Sequence, residues 1–163
     1  MRMQLVLLAI SSLIPPYSHA VDVPSACDLL PGSIVSSIVG TEVRSDTLHS
    51  DGKERRSNTC GYSGKSVNLT FSILPNETEE AARTRLARAL ERTFPKGASL
   101  QPLRGIGTEA RFGAVDGKAR AAIVGRYDTT VFMLSGPNDQ AMLVALTRRA
   151  LAQLNREPHQ DHL

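Results

Sequence analysis

Val67-Asn68-Leu69-Thr70-Phe71-Ser72-Ile73 alternates apolar and polar side chains without a break. Successive side chains of a strand point to opposite faces, so Val67, Leu69, Phe71 and Ile73 share a dry face while Asn68, Thr70 and Ser72 face water. A sheet with one dry face calls for helices to cover it, and the flanking sequence supplies more strands and the helices. Upstream, Thr59-Cys60-Gly61-Tyr62 reads as a short strand turned into this one by Ser63-Gly64. Residues 41–48 read as a further strand, and the polar stretch 49–58, with its Asp51-Gly52 turn signal, as an exposed loop between the two. Downstream, Pro75 stops the strand. Asn76 with Glu79 fits a capping pattern, and Ala82, Leu86, Ala89, Leu90 and Phe94 then recur at helical spacing until Pro95-Lys96-Gly97.

Both ends of the chain extend the plan. Leu30, Ile34, Val35, Ile38 and Val39 form one helical stripe that Gly40 closes, with Pro31 near its start. After Phe94, a loop through Gln101 and Gly105-Ile106-Gly107 leads to strands near residues 110–115, 119–126 and 129–134, the first two joined by an Asp116-Gly117 turn. A last helix over about residues 139–155 turns Met142, Leu143, Leu146, Ala150 and Leu154 inward. The order is α-βββ-α-βββ-α. It predicts the α+β class, with an antiparallel sheet of about six strands and helices on one face.

The N-terminus carries the three-part layout of a secretory signal peptide over residues 1–20. Arg2 gives a positive start, an apolar run reaches Ile14, and Pro15-Pro16 break it before the small residues Ser18 and Ala20. Cleavage is expected between Ala20 and Val21. The apolar run is too short to span a bilayer of about 30 Å, and no later stretch is apolar enough to do so, so the mature chain is expected to have no transmembrane segment. A lipoprotein needs an aliphatic residue three positions before its cysteine; Pro24 stands there before Cys27. Residues 21–156 form a single expected domain, and the polar residues 157–163 a flexible tail. The expected compartment is periplasmic or extracellular.

Two cysteines in an exported chain read as one bridge, Cys27–Cys60. The loop it closes, about 33 residues, gives a chain-entropy stabilisation of about 3–4 kcal/mol. They are too far apart in sequence for a redox CxxC pair. Without the leader the formal charge falls from +3 to about +2. With no Trp and 4% aromatic residues, the chain has no stacking platform for single strands, so nucleic acid is not an expected partner.

No motif for chemistry survives inspection. Gly61-Tyr62-Ser63-Gly64-Lys65 has Lys65 where a nucleophile elbow needs glycine. Gly105-Ile106-Gly107 lacks both the third glycine of a dinucleotide fingerprint and the Lys-Ser/Thr of a P-loop, and reads as a tight entry to a strand. Of the histidines outside the leader, His49 lies in a hydrophilic loop, and His159 and His162 lie in the tail, where catalytic geometry cannot be held. Glu42, Glu109 and Asp116 are the acids nearest strands, and a hydrolase would need two of them to face each other across a cleft. Arg85, Arg88 and Arg92 share one face of the central helix, where an anionic partner could dock. Acids at that helix's start and bases toward its end also complement its dipole. No catalytic, cofactor-binding or metal-binding residue is therefore expected.

Cys27-Asp28-Leu29-Leu30, Thr59-Cys60-Gly61-Tyr62 and Gly105-Ile106-Gly107-Thr108-Glu109-Ala110 together resemble small bacterial exported proteins of the DUF3558-like kind. In these an early Cys-x-Leu-Leu pairs with a later Cys-Gly-aromatic, and a Gly-hydrophobic-Gly-acid-Ala segment opens the second half. The chain departs from them in lacking a lipidation motif. The resemblance implies an α+β domain outside the cytoplasm and carries over no catalytic residue. The expected function is that of a monomeric, non-enzymatic exported domain binding a protein partner or small ligand, on the sheet face that the helices leave free. The alternatives are a secreted hydrolase using carboxylates and a structural accessory protein of the cell envelope.

Overall fold

The computed structural model describes residues 24–48, 58–117 and 119–156. The signal peptide with its Ala20/Val21 cleavage site, the loop bearing His49, and the tail with His159 and His162 lie outside the described residues. In chain order the elements are α1 (Ala26–Leu29), α2 (Gly32–Val39), β1 (Val43–Thr47), β2 (Thr59–Gly64), β3 (Asn68–Pro75), α3 (Glu79–Thr93), β4 (Gln101–Pro102), β5 (Glu109–Asp116), β6 (Arg120–Tyr127), β7 (Thr130–Pro137) and α4 (Gln140–Leu154). The strands form one antiparallel sheet in the order β1-β2-β3-β7-β6-β5-β4. Two meanders, β1-β2-β3 and β4-β5-β6-β7, meet at the β3–β7 pair, where Phe71 lies opposite Leu134 and Ile73 opposite Phe132. Beside this seam the Asn76 amide donates to the carbonyls of Leu74 and Thr129, at 2.7 and 2.9 Å.

The α+β class and the antiparallel sheet are as the alternation predicts; three details differ. The sheet has seven strands rather than six, because Gln101 and Pro102 add a two-residue edge strand beside β5. The first helix is two pieces. Leu30, ahead of Pro31, is driven out of the helical region (φ −132°, ψ 76°) by the proline ring, and Pro31 then caps α2. Most consequential, helices cover both faces of the sheet.

The reason is written in β6. Ala121, Ala122, Ile123 and Val124 are all fully buried, so both faces of this strand are dry and each needs its own cover. Ala121 and Ile123 join Leu69, Phe71, Ile73, Phe132 and Leu134 in a core roofed by α1, α2 and α4. Ala122 and Val124 join Val131 in a second core, on the opposite face, under Ala82 and Leu86 of α3 and Phe94, the residue that ends it. The main core is pinned at its N-terminal end by the Cys27–Cys60 disulfide (Cα–Cα 5.1 Å) and by the Tyr62 hydroxyl, which donates to the Leu30 carbonyl at 2.6 Å. Burial pushes the Tyr62 phenol far above its ordinary pKa, so it stays a neutral donor.

Side chains cap the starts of α1, α3 and α4, though α3 not as the spacing predicts. Thr78, not Asn76, is its N-cap, its Oγ1 accepting from the Ala81 N–H at 3.1 Å while Asn76 serves the seam. Asp139 caps α4.

Gly105-Ile106-Gly107 is the tight strand entry that the sequence suggests. Both glycines have positive φ, 72° and 62°, and Ile106 between them is buried. A Cβ on Gly107 would lie 2.5 Å from the Arg126 carbonyl, which already accepts the Thr108 N–H at 2.8 Å; one on Gly105 would meet nothing. Gly107→Ala should therefore lower unfolding free energy by about 2–3 kcal/mol, combining left-handed strain with a backbone clash, and Gly105→Ala by about 1. Urea unfolding of the two variants checks the difference; equal losses would contradict it.

Candidate functional site

The sheet is wider than α3. On its α3 side the helix packs mainly on β6 and β7, and among the described residues no helix packs on β1–β3 there. The polar half of the β3 alternation faces this side, with Asn68 exposed and Thr70 and Ser72 half-buried. Where α3 ends its coverage, a groove of about 770 Å³ runs between the helix and the strands.

One wall of the groove is a helical stripe. Ala81, Arg85, Arg88 and Arg92 recur every three or four residues and so lie along one side of α3. Positions 82 and 86, turned away from that side, are buried against β6 and β7. The α3 sequence thus gives its apolar side to the core and its arginine side to the groove. The floor is built from every second residue of the strands. Ser72 and Leu74 come from β3, Thr59 from β2, and Val131 and Met133 from β7. The Thr59 and Ser72 hydroxyls are hydrogen-bonded to each other at 3.0 Å, and the Thr93 hydroxyl lies 3.3 Å from the Met133 sulfur. Glu80 is the one acidic side chain among the described residues that line the groove.

Charge pairing distinguishes the arginines. Arg126, almost fully buried, holds Glu109 at 2.9 Å through Nε and Glu79 at 3.2 Å through an Nη, and Glu79 also pairs with Arg83 at 2.8 Å. The hydrogen bond to Glu109 raises the Arg126 pKa above its already high ordinary value, against the opposing effect of burial. This network ties the start of α3 to β5 and β6. Arg85, Arg88 and Arg92, by contrast, take part in no ion pair among the described residues. Among the described residues that line the groove, Glu80 is the one acid that offsets their charge.

The three acids a hydrolase would need do not converge. Glu42 precedes β1 at one end of the sheet, whereas Glu109 and Asp116 open and close β5, near the other. The length of β5 alone separates these two by about 23 Å at the usual strand rise, and Glu109 is engaged by Arg126. Ser63 lies in β2, opposite Asn68 of β3, and Lys65 is in the turn that follows. Among the described residues no three His, Cys, Asp or Glu side chains gather into a metal-binding group, and no helix is long and apolar enough to cross a membrane.

The sequence shows the arginine stripe and the polar side of β3 as separate features. It does not show that they face each other across one groove. The available signal was the fully apolar run 121–124, which marks both faces of β6 as buried without saying which helix covers either.

Neither a protein-family model nor a curated protein matches the chain. Among solved structures it is similar to the extracellular domain of PknH from Mycobacterium tuberculosis, with a TM-score of 0.49 and 11% identity, covering 81% of this chain and 95% of that one.

Proposed function

We propose that the chain is an exported, non-enzymatic binding domain whose ligand or partner occupies the groove between α3 and the bare half of the sheet. The observation that carries this reading is the groove itself. Its volume is in the range of small-molecule sites, it mixes an apolar floor with a few polar groups, and the arginines of its cationic wall form no ion pair among the described residues. Export is supported by the Cys27–Cys60 bridge, which persists in oxidising compartments, and by the leader pattern of residues 1–20. The likeness of the two cysteine segments to DUF3558-like exported proteins points the same way.

A photo-crosslinking residue at Thr84, in the groove wall, compared with one at exposed Arg148 on α4, tests the binding role in the native host. An adduct of defined mass at Thr84 and none at Arg148 is expected; equal labelling at both would remove the groove from consideration. Mass spectrometry of the same material should give a mature N-terminus at Val21 and no free thiols. An intact leader on a reduced cytosolic product would end the export reading.

A further inference from the structure

We infer that the groove recognises an organic phosphate monoester: a dianionic phosphate seated on the Arg85–Arg88–Arg92 row, with a short apolar body lying over Leu74 and Met133. This deepens, and rests on, the binding role proposed above.

The argument begins with charge. Three guanidinium groups line one wall and Glu80 opposes them, leaving a surplus of two positive charges with no partner among the described residues. A phosphate monoester carries about −1.5 to −2 near neutral pH, which matches that surplus; a single carboxylate carries −1 and is satisfied by one arginine fork. Geometry agrees. Arg85, Arg88 and Arg92 are about one helical turn apart, about 4.5 and 6 Å along the axis, so neighbouring long side chains can close on one tetrahedral anion from either side. A planar carboxylate would leave the third unused. Arginine also suits the task better than lysine, since its rigid donor fork matches phosphate oxygens.

The floor then argues against a bare ion and against a large polymer. Leu74, Met133, Ala81 and Ala89 give the groove apolar area that inorganic phosphate would leave wet. The paired hydroxyls of Thr59 and Ser72 sit among them as a polar mark for orientation. The volume of about 770 Å³ fits a compact molecule rather than a folded partner. Nucleic acid lacks the aromatic platform it would need, because no aromatic ring but that of Phe132 belongs to a residue lining the groove, and Phe132 is fully buried.

The test uses the oxidised mature protein, uniformly labelled with nitrogen-15, titrated with four probes: hexyl phosphate, inorganic phosphate, hexanol, and vesicles of anionic phospholipid. Hexyl phosphate should shift the amide signals of Ser72, Thr84 and Ala89 with at least tenfold higher affinity than inorganic phosphate or hexanol. Arg88→Gln should weaken hexyl phosphate binding about tenfold, as expected for loss of a charge-assisted contact. The triple variant Arg85→Gln, Arg88→Gln, Arg92→Gln should abolish it. All three side chains are exposed, so the variants should melt within a few degrees of the parent. Arg148→Gln on α4 should leave binding unchanged. Hexanol binding as tightly as hexyl phosphate, Arg88→Gln binding within twofold of the parent, or a response to vesicles alone would each overturn the assignment. Crosslinking at Thr84 without response to any phosphate probe would also overturn it, while leaving the groove's binding role in place.

Discussion

Phe132→Ala is expected to lower the free energy of unfolding by about 3–5 kcal/mol, as large aromatic deletions in rigid cores do. Phe132 is fully buried at the centre of β7. Its cross-strand neighbours are Ile73 on β3 and Gly125 on β6, so it sits in the strand that joins the two meanders. The ring lies over Gly125, where a Cβ would come within 2.6 Å of Phe132 Cζ, and it reaches toward Gly107, where a Cβ would come within 3.1 Å of Cε1. Two glycines leave room for one ring, and alanine would leave all of that room empty. The backbone of three paired strands cannot close in to fill it. Urea unfolding of the oxidised protein gives the number. Phe132→Leu, which keeps part of the volume, should lose about half as much. A loss under 1.5 kcal/mol for the alanine variant would mean that the site collapses freely and that the seam is not rigid there.

The second large effect is covalent. Replacing both Cys27 and Cys60 with serine should cost about 3–4 kcal/mol, from the entropy regained by a loop of 33 residues in the unfolded chain. For a domain of this size that is a fall in melting temperature of roughly 10 °C or more. The native state also loses an anchor. α1 is four residues long, too short to hold its place by helical propensity. Beyond its buried apolar side chains, its tethers among the described residues are the bridge, the Tyr62 bond to Leu30 and the Thr47 hydroxyl, 3.5 Å from the Cys27 sulfur. Amide exchange in the serine variant should therefore accelerate first in α1 and at Tyr62, and later in β6 and β7. Uniform acceleration across the sheet would show that the bridge acts only through the unfolded chain.

Particular residues explain how much of this was legible. The Val67–Ile73 alternation and the helical stripe from Ala82 to Phe94 report on burial directly, because a side chain's polarity is read against the face it occupies. The bridge was legible because only one pairing of two cysteines exists. What local pattern could not convey was the side of the sheet to which α3 belongs. The period of a helix defines its own dry face and says nothing about which face of a sheet will meet it. That choice is dictated by residues 121–124, some thirty residues downstream of α3, and a continuous apolar run fits a short buried strand without saying what covers each side. The break at Leu30 and the edge strand at Gln101 were missed for a smaller reason: each is decided by one proline or one pair of residues. The candidate site was half legible. Its arginines were visible as a row, but a row of exposed cations on a helix is ordinary until a second surface stands opposite it.

The β3–β7 seam also governs the order in which the molecule can be completed. The final strand lies in the middle of the sheet, roughly sixty residues downstream of the neighbour it covers. When a nascent or translocating chain is delivered N-terminus first, β1–β3 can form a meander early, but the outer hydrogen-bonding edge of β3 stays bare until residue 137 has emerged. A bare edge invites a strand from another molecule. The fold thus places its period of greatest exposure before the C-terminus is released, when a holding chaperone would have most to protect.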